Sequence, residues 1–169
     1  MSCLALKPLL LAPPPLTLSA AESLTCGRVQ ARVGEISGAS QFFRGGITAY
    51  TLEEKVRHLG VNRVAARRVN GVSAEVAAQM ARGACDLFAS DLGVATTGYA
   101  EPAAEAGVPE PFAWWALAHR RRGRIVAVRT GRVECPGATR CDAQQFVADA
   151  VLGELIAYLE SIRGGRRDK

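Results

Sequence analysis

Histidine is the scarcest reactive side chain here. The 169-residue chain has only His58 and His119, far apart and in no HExxH pair. Its five cysteines (Cys3, Cys26, Cys85, Cys135, Cys141) form no CxxC pair. Neither residue type therefore has the spacing of a structural zinc site or a metalloprotease, and neither a metal nor another cofactor is expected. An odd set of thiols without a pairing framework fits a reducing compartment. Aromatic residues make up 6% of the chain. Neither arginine-rich run is interleaved with the stacking side chains that a single-strand nucleic-acid platform needs. Long apolar runs are missing too. The stretch 4–16 is interrupted by Lys7 and by Pro8, Pro13, Pro14 and Pro15, is too short to span a bilayer and has no signal-peptide cleavage pattern. A cytoplasmic protein with no membrane partner is the expectation. There is also no GxSxG, SxxK, GxGxxG or Walker loop, and Tyr50 and Lys55 stand one residue too far apart for the Tyr-xxx-Lys of short-chain dehydrogenases.

What remains is a chain with 49% hydrophobic residues and a formal charge of +5. Its length predicts one domain, 1–169, with a core mostly of Ala, Val and Leu. The excess charge sits largely in Arg120-Arg121-Arg122-Gly123-Arg124 and in the basic tail 164–169. These read as a solvated turn and a solvated tail, with no specific nucleic-acid partner.

Taken in order, 2–12 reads as a short helix ended by Pro13-Pro14-Pro15. Strands are predicted over 16–20, 42–50 and 92–98, with a hairpin over 112–119 and 124–132. Helices are predicted from after Thr25 to about Ile36, over 52–59, from Ser73 to about Ser90, and over 139–163. Val76, Met80, Ala84 and Leu87 form one apolar stripe, and Phe146, Val147, Ala150, Val151, Leu155 and Leu159 another. This pattern predicts a three-layer α/β/α sandwich around a mixed β-sheet. Three loops, 21–27, 50–55 and 97–102, fall at strand C-terminal ends or helix starts, where open α/β sheets bind ligands. Ser23 is either a nucleophile presented beside helix N–H groups or, like Thr25, a simple helix cap. The Gly45-Gly46 pair allows a bulge or a close approach to a ligand.

The motifs Ala21-Glu22-Ser23-x-Thr25-x-Gly27, Phe43-Arg44-Gly45-Gly46-Ile47-x-Ala49-Tyr50-x-x-x-x-Lys55, Leu59-Gly60-Val61 and Thr97-Gly98-x-Ala100-x-Pro102 resemble the C-terminal domain of CinA. So does Val72-Ser73-x-Glu75-x-Ala77-x-x-Met80-Ala81-x-Gly83-Ala84. Stand-alone members of that family include nicotinamide-nucleotide amidases. The resemblance implies metal-independent hydrolysis of the carboxamide of nicotinamide mononucleotide to nicotinate mononucleotide and ammonia, by a homo-oligomer with a dimer favoured. By position, Ser23 would be the nucleophile, Lys55 the general base and Tyr50 a proton relay or orienting group. Thr97 and Arg140 would hold substrate or loops. A basic Lys55 needs its pKa lowered by burial or by a neighbouring positive charge; Arg44 or Arg140 would act in that direction, and either could meet the phosphate. Oxyanion donors would come from amides around Thr25 to Gly27 or at Gly45-Gly46, and Gly98 would join the substrate-binding residues.

This chain also departs from the family pattern. Cys26 and Glu101 stand at glycine positions, Glu105 and Glu110 add carboxylates, and Ala113 and Trp114 replace a Gly-Thr. A side chain at 26 would block close backbone approach, and the carboxylates oppose a phosphate dianion. The residues 1–15 look like a divergent N-terminal segment. The alternative function is a non-catalytic CinA-like protein that binds a nucleotide or another small ligand. An interaction role in DNA uptake would rest physically on the arginine-rich turn alone.

Overall fold

Proline and one aspartate set where the first strand begins. In the computed structural model, which describes residues 3–164, a 3-10 turn (Cys3–Ala5) leads into α1 (Leu6–Leu11), and the prolines halt it. The Thr17 amide and hydroxyl both donate to the Asp91 carboxylate, at 2.8 and 2.7 Å. The strand β1 is therefore Leu18–Glu22, two residues later than expected. That shift puts Glu22 inside the sheet and Ser23 immediately beyond its end. The expected helix start at residue 2, and the basic tail beyond Gly164, lie outside the described residues.

The chain continues through α2 (Arg28–Gly34), β2 (Phe43–Thr48), α3 (Leu52–Leu59), α4 (Arg63–Arg67) and α5 (Ala74–Leu87). Then come β3 (Leu92–Tyr99), β4 (Phe112–Arg121), β5 (Arg124–Glu134) and α6 (Arg140–Gly164). The sheet order is β2-β1-β3-β4-β5. β1 pairs in parallel with β2 and β3, whereas β3–β4 and β4–β5 are antiparallel. The fold is the expected α/β sandwich around a mixed sheet. Arg122 and Gly123, at φ 51° and 76°, give the β4–β5 hairpin the left-handed turn that matches strand twist.

Strand alternation divides the core in two. Leu18, Ala20, Leu92 and Val94 face α1, α2 and α6, through Leu6, Leu10, Val33, Val151 and Leu155. Ala21, Ala95, Ala116 and Ala118 face α3 and α5, through Leu59, Val76, Met80 and Ala84. Small residues on this second face allow close packing. A Cβ at Gly83 would lie 2.2 Å from Leu59 O, so the α5 glycine is what lets α3 press inward. That contact holds the helix that carries Lys55.

Several expected boundaries shift. α2 stops at Gly34, β2 spans only Phe43–Thr48, and α5 ends at Leu87. Leu87 and Phe146 are exposed instead of joining their stripes. α4 was not anticipated; Asn62 caps it by accepting from the Ala65 amide at 2.9 Å. Among the described residues no helix is long and apolar enough to cross a membrane.

Candidate active site

The turn after β1 is built around a buried carboxylate. Glu22, 1% exposed, accepts from the Thr25 hydroxyl (2.6 Å) and from the amides of Gly27 (2.9 Å), Val29 (3.1 Å) and Gln30 (2.9 Å). It thereby satisfies the N-terminal amides of α2 and compensates their positive dipole end. Neither Ser23 nor Thr25 caps this helix, so the simple capping reading fails for both. Thr25 is fully buried, and its hydroxyl also meets Thr96 Oγ1 at 2.8 Å. Ser23 is left for other work: its amide donates to Thr96 O at 3.0 Å, and its side chain lines a cleft of about 450 Å³. Among the described residues the amides of Leu24 and Thr25 make no hydrogen bond within the chain. The Gly27 amide is taken by Glu22. Of the unpaired amides only that of Leu24 belongs to a residue lining the cleft, since Thr25 is sealed from it.

Lys55 enters the same cleft from α3, which starts at Thr51 because its hydroxyl accepts from the Glu54 amide. The side chain is 4% exposed and belongs to no ion pair among the described residues. Its Nζ donates to Thr97 Oγ1 (3.0 Å) and to Gly71 O (3.2 Å), and the Thr97 hydroxyl donates to Gly71 O as well (2.7 Å). Burial alone lowers its pKa from lysine's ordinary 10.5 to about 8. Of the two expected causes, burial accounts for the shift and a neighbouring arginine does not. Among the described residues no hydrogen bond joins Ser23 to Lys55.

At the rim, Tyr50 is 48% exposed, and its hydroxyl accepts from Arg140 Nη2 at 2.5 Å. Arg140, the first residue of α6, pairs through Nη1 with the Glu101 carboxylate. Among the described residues the Tyr50 hydroxyl thus bonds to Arg140 and to neither Ser23 nor Lys55. Gly98 also lines the cleft, but its requirement is packing: a Cβ would sit 2.3 Å from Phe112 O. Arg44, Gly45 and Gly46 lie outside the cleft. Leu18 pairs with Phe43 and Ser19 with Gly45, so Arg44 is the extra residue of a β-bulge. Of the two readings of the glycine pair, the bulge is realised. Gly45 carries φ 133°, and a Cβ at Gly46 would meet the Gln30 side chain at 2.5 Å.

The substituted positions behave differently from one another. Glu101 and Glu105 line the cleft, whereas Glu110 accepts from the Gly137 amide at 2.9 Å and Ala113 is buried. Trp114 lies on β4, with the Arg132 guanidinium 5.8 Å from its ring centroid. Cys26 is exposed and outside the cleft lining, so it does not block the site. It does sit at φ 50°, a left-handed conformation costing about 1–2 kcal/mol for a side-chain-bearing residue. Cys26→Gly is expected to raise stability by about 0.5–1 kcal/mol, after glycine's own entropic cost. A denaturant midpoint that stays put or falls would refute this.

A strand-end serine, a buried lysine and the Leu24 backbone thus share one cleft of an α/β sandwich. The chain's relatives carry the classification further. The model of the CinA C-terminal domain matches residues 9–159, and the chain belongs to that family. A CinA-like protein from Chlorobium limicola is 34% identical over 150 residues, covering 88% of this chain and 35% of that protein. A putative competence-damage inducible protein from Streptococcus equi subsp. zooepidemicus is 39% identical over 132 residues, covering 78% and 30%. The chain thus spans about a third of the length of these curated relatives. Among solved structures, a competence-damaged protein (CinA) superfamily protein from Enterobacter cloacae superposes with a TM-score of 0.83 at 25% identity. That match covers 93% of this chain and 89% of the other. The competence/damage inducible protein CihA from Agrobacterium tumefaciens gives 0.75 at 29% identity, covering 91% and 92%.

Proposed function

We propose that this domain is a metal-independent amidohydrolase acting on the carboxamide of an N-ribosylated nicotinamide, with nicotinamide mononucleotide the substrate implied by the family resemblance. The observation that carries the reading is a buried lysine in the cleft that Ser23 lines, its pKa lowered by burial to about 8 and with no ionic partner among the described residues. At neutral pH roughly a tenth of such an amine is unprotonated, enough for a general base.

The neutral Lys55 amine takes the Ser23 proton through one water, or directly after leaving Thr97. Ser23 Oγ then bonds to the carboxamide carbon, and the Leu24 amide on the cleft wall receives the negative charge on oxygen. Lys55 returns its proton to the departing nitrogen, which leaves as ammonia, and an ester to Ser23 remains. Water activated by the same amine cleaves that ester to the pyridine carboxylate. Tyr50 and Arg140 shape the rim.

Ammonia release from nicotinamide mononucleotide at micromolar enzyme is the expected result, lowered about a thousandfold or more in Ser23→Ala. No Ser23-dependent release from any pyridine carboxamide would overturn the catalytic reading. A second reading, a non-catalytic binder of a nucleotide or another small ligand, is favoured by one arrangement: the Lys55 amine is bonded to Gly71 O and Thr97, and not to Ser23, among the described residues. Nucleotide-induced thermal stabilisation without turnover would support it, and no shift across a nucleotide panel would remove it.

A further inference from the structure

The groups that would anchor a phosphate in this cleft are engaged within the chain, turned inward or placed outside the lining. The amides at the N-terminus of α2 are held by Glu22. The Arg140 guanidinium is engaged on both sides, by the Glu101 carboxylate and by Tyr50. Arg44, the other candidate anchor, sits at the β2 bulge and outside the lining. Among the described residues the ionisable lining comprises the cations Lys55 and Arg140, the carboxylates Glu101 and Glu105, and Tyr50 and Tyr99. The Lys55 amine is turned inward to Gly71 O and Thr97. Glu105 has no ion-pair partner among the described residues, so it is available to a cationic ligand.

We infer that this cleft selects a carboxamide carried on a cationic, phosphate-free body, an N-ribosylpyridinium nucleoside in preference to its 5′-phosphate, and that Glu101 is the residue that sets the choice. The inference rests on the proposed use of Ser23 and Lys55 and narrows its substrate class. A phosphate dianion would have to displace Glu101 from Arg140 and then lie near two carboxylates at short range. A pyridinium ring instead gains from Glu105 and leaves the Arg140–Glu101 pair intact. The volume, about 450 Å³, is within the range of small-ligand clefts.

Binding can be measured without turnover by calorimetry on Ser23→Ala protein with two ligands, N-ribosylnicotinamide and its 5′-phosphate. The nucleoside is expected to bind about tenfold tighter or more, and adding Glu101→Gln is expected to shift the ratio about tenfold toward the phosphate. Glu101→Gly serves as a second variant with the same expectation. Equal or tighter binding of the phosphate with a ratio unmoved by either substitution would overturn the inference, as would no binding of either ligand. Failure here together with Ser23-dependent ammonia release from another amide sinks only the nucleoside preference. The expected selectivity without ammonia release from either compound sinks only the catalytic reading.

Discussion

Replacing Lys55 with methionine is expected to abolish turnover and, at the same time, to make the protein more stable at neutral pH. The lysine is 4% exposed, and its pKa falls from 10.5 to about 8 because burial disfavours the charged form. Each unit is worth about 1.4 kcal/mol, so holding Lys55 charged at pH 7 costs about 3 kcal/mol. Methionine fills a similar volume without that cost. It forgoes the hydrogen bonds to Thr97 and Gly71, but those two remain bonded to each other at 2.7 Å. The expected net gain is about 1–3 kcal/mol. The pH dependence identifies the cause. Between about 8 and 10.5 the unfolded chain holds a proton on Lys55 that the folded chain has released. Wild-type stability therefore rises with pH through that window, and the advantage of Lys55→Met shrinks there. Paired denaturant titrations from pH 7 to 10.5 read this directly. A Lys55→Met protein that is less stable at pH 7, or a gap independent of pH, would contradict it.

Glu22→Ala is expected to have the opposite sign and a larger size. Four donors converge on that carboxylate, one hydroxyl and three amides of the turn and of α2, all at 3.1 Å or less. Alanine leaves them without an acceptor in a region that is largely sealed from water, at a cost of about 3–5 kcal/mol. Glu22→Gln keeps the shape but turns an NH2 toward other donors, so it should recover only part of the loss. The same change loosens the turn that presents Ser23, so kcat should fall further than KM rises. Unfolding midpoints and a kcat–KM comparison on the glutamine variant separate the two effects. A Glu22→Ala protein within about 1 kcal/mol of wild type would show that the carboxylate is not the organiser of this turn.

Much of this architecture is legible in the residues alone, for definable reasons. Ser73 before an alanine-rich periodic run announces α5, and the glycine after three arginines announces the hairpin turn. The convergence of the loops after β1, β2 and β3 follows from parallel pairing of those strands. Misplaced features depend on contacts between distant residues. The start of β1 is set by Thr17 reaching Asp91, 74 residues away. Phe146 fits the α6 stripe by spacing, yet nothing covers that side of the helix turn, and it stays exposed. Glu22 sits in a quoted motif but shows no role in one dimension. The available signal is a carboxylate at the end of an apolar strand, five residues before a glycine that opens a helix. Likewise, nothing in Tyr50 or Arg140 as isolated residues reveals that Glu101 will claim the arginine between them.

In the proposed reaction the buried Lys55 amine is the base for Ser23. The most direct test is the pH dependence of kcat/KM for ammonia release, from pH 6 to 10, on a carboxamide whose own charge does not change in that range. The expected profile rises about tenfold per pH unit at the acid end and levels off near pH 8, and Lys55→Met shows no such limb. A profile flat across pH 8, or a Lys55→Met protein that keeps wild-type activity, would contradict the account.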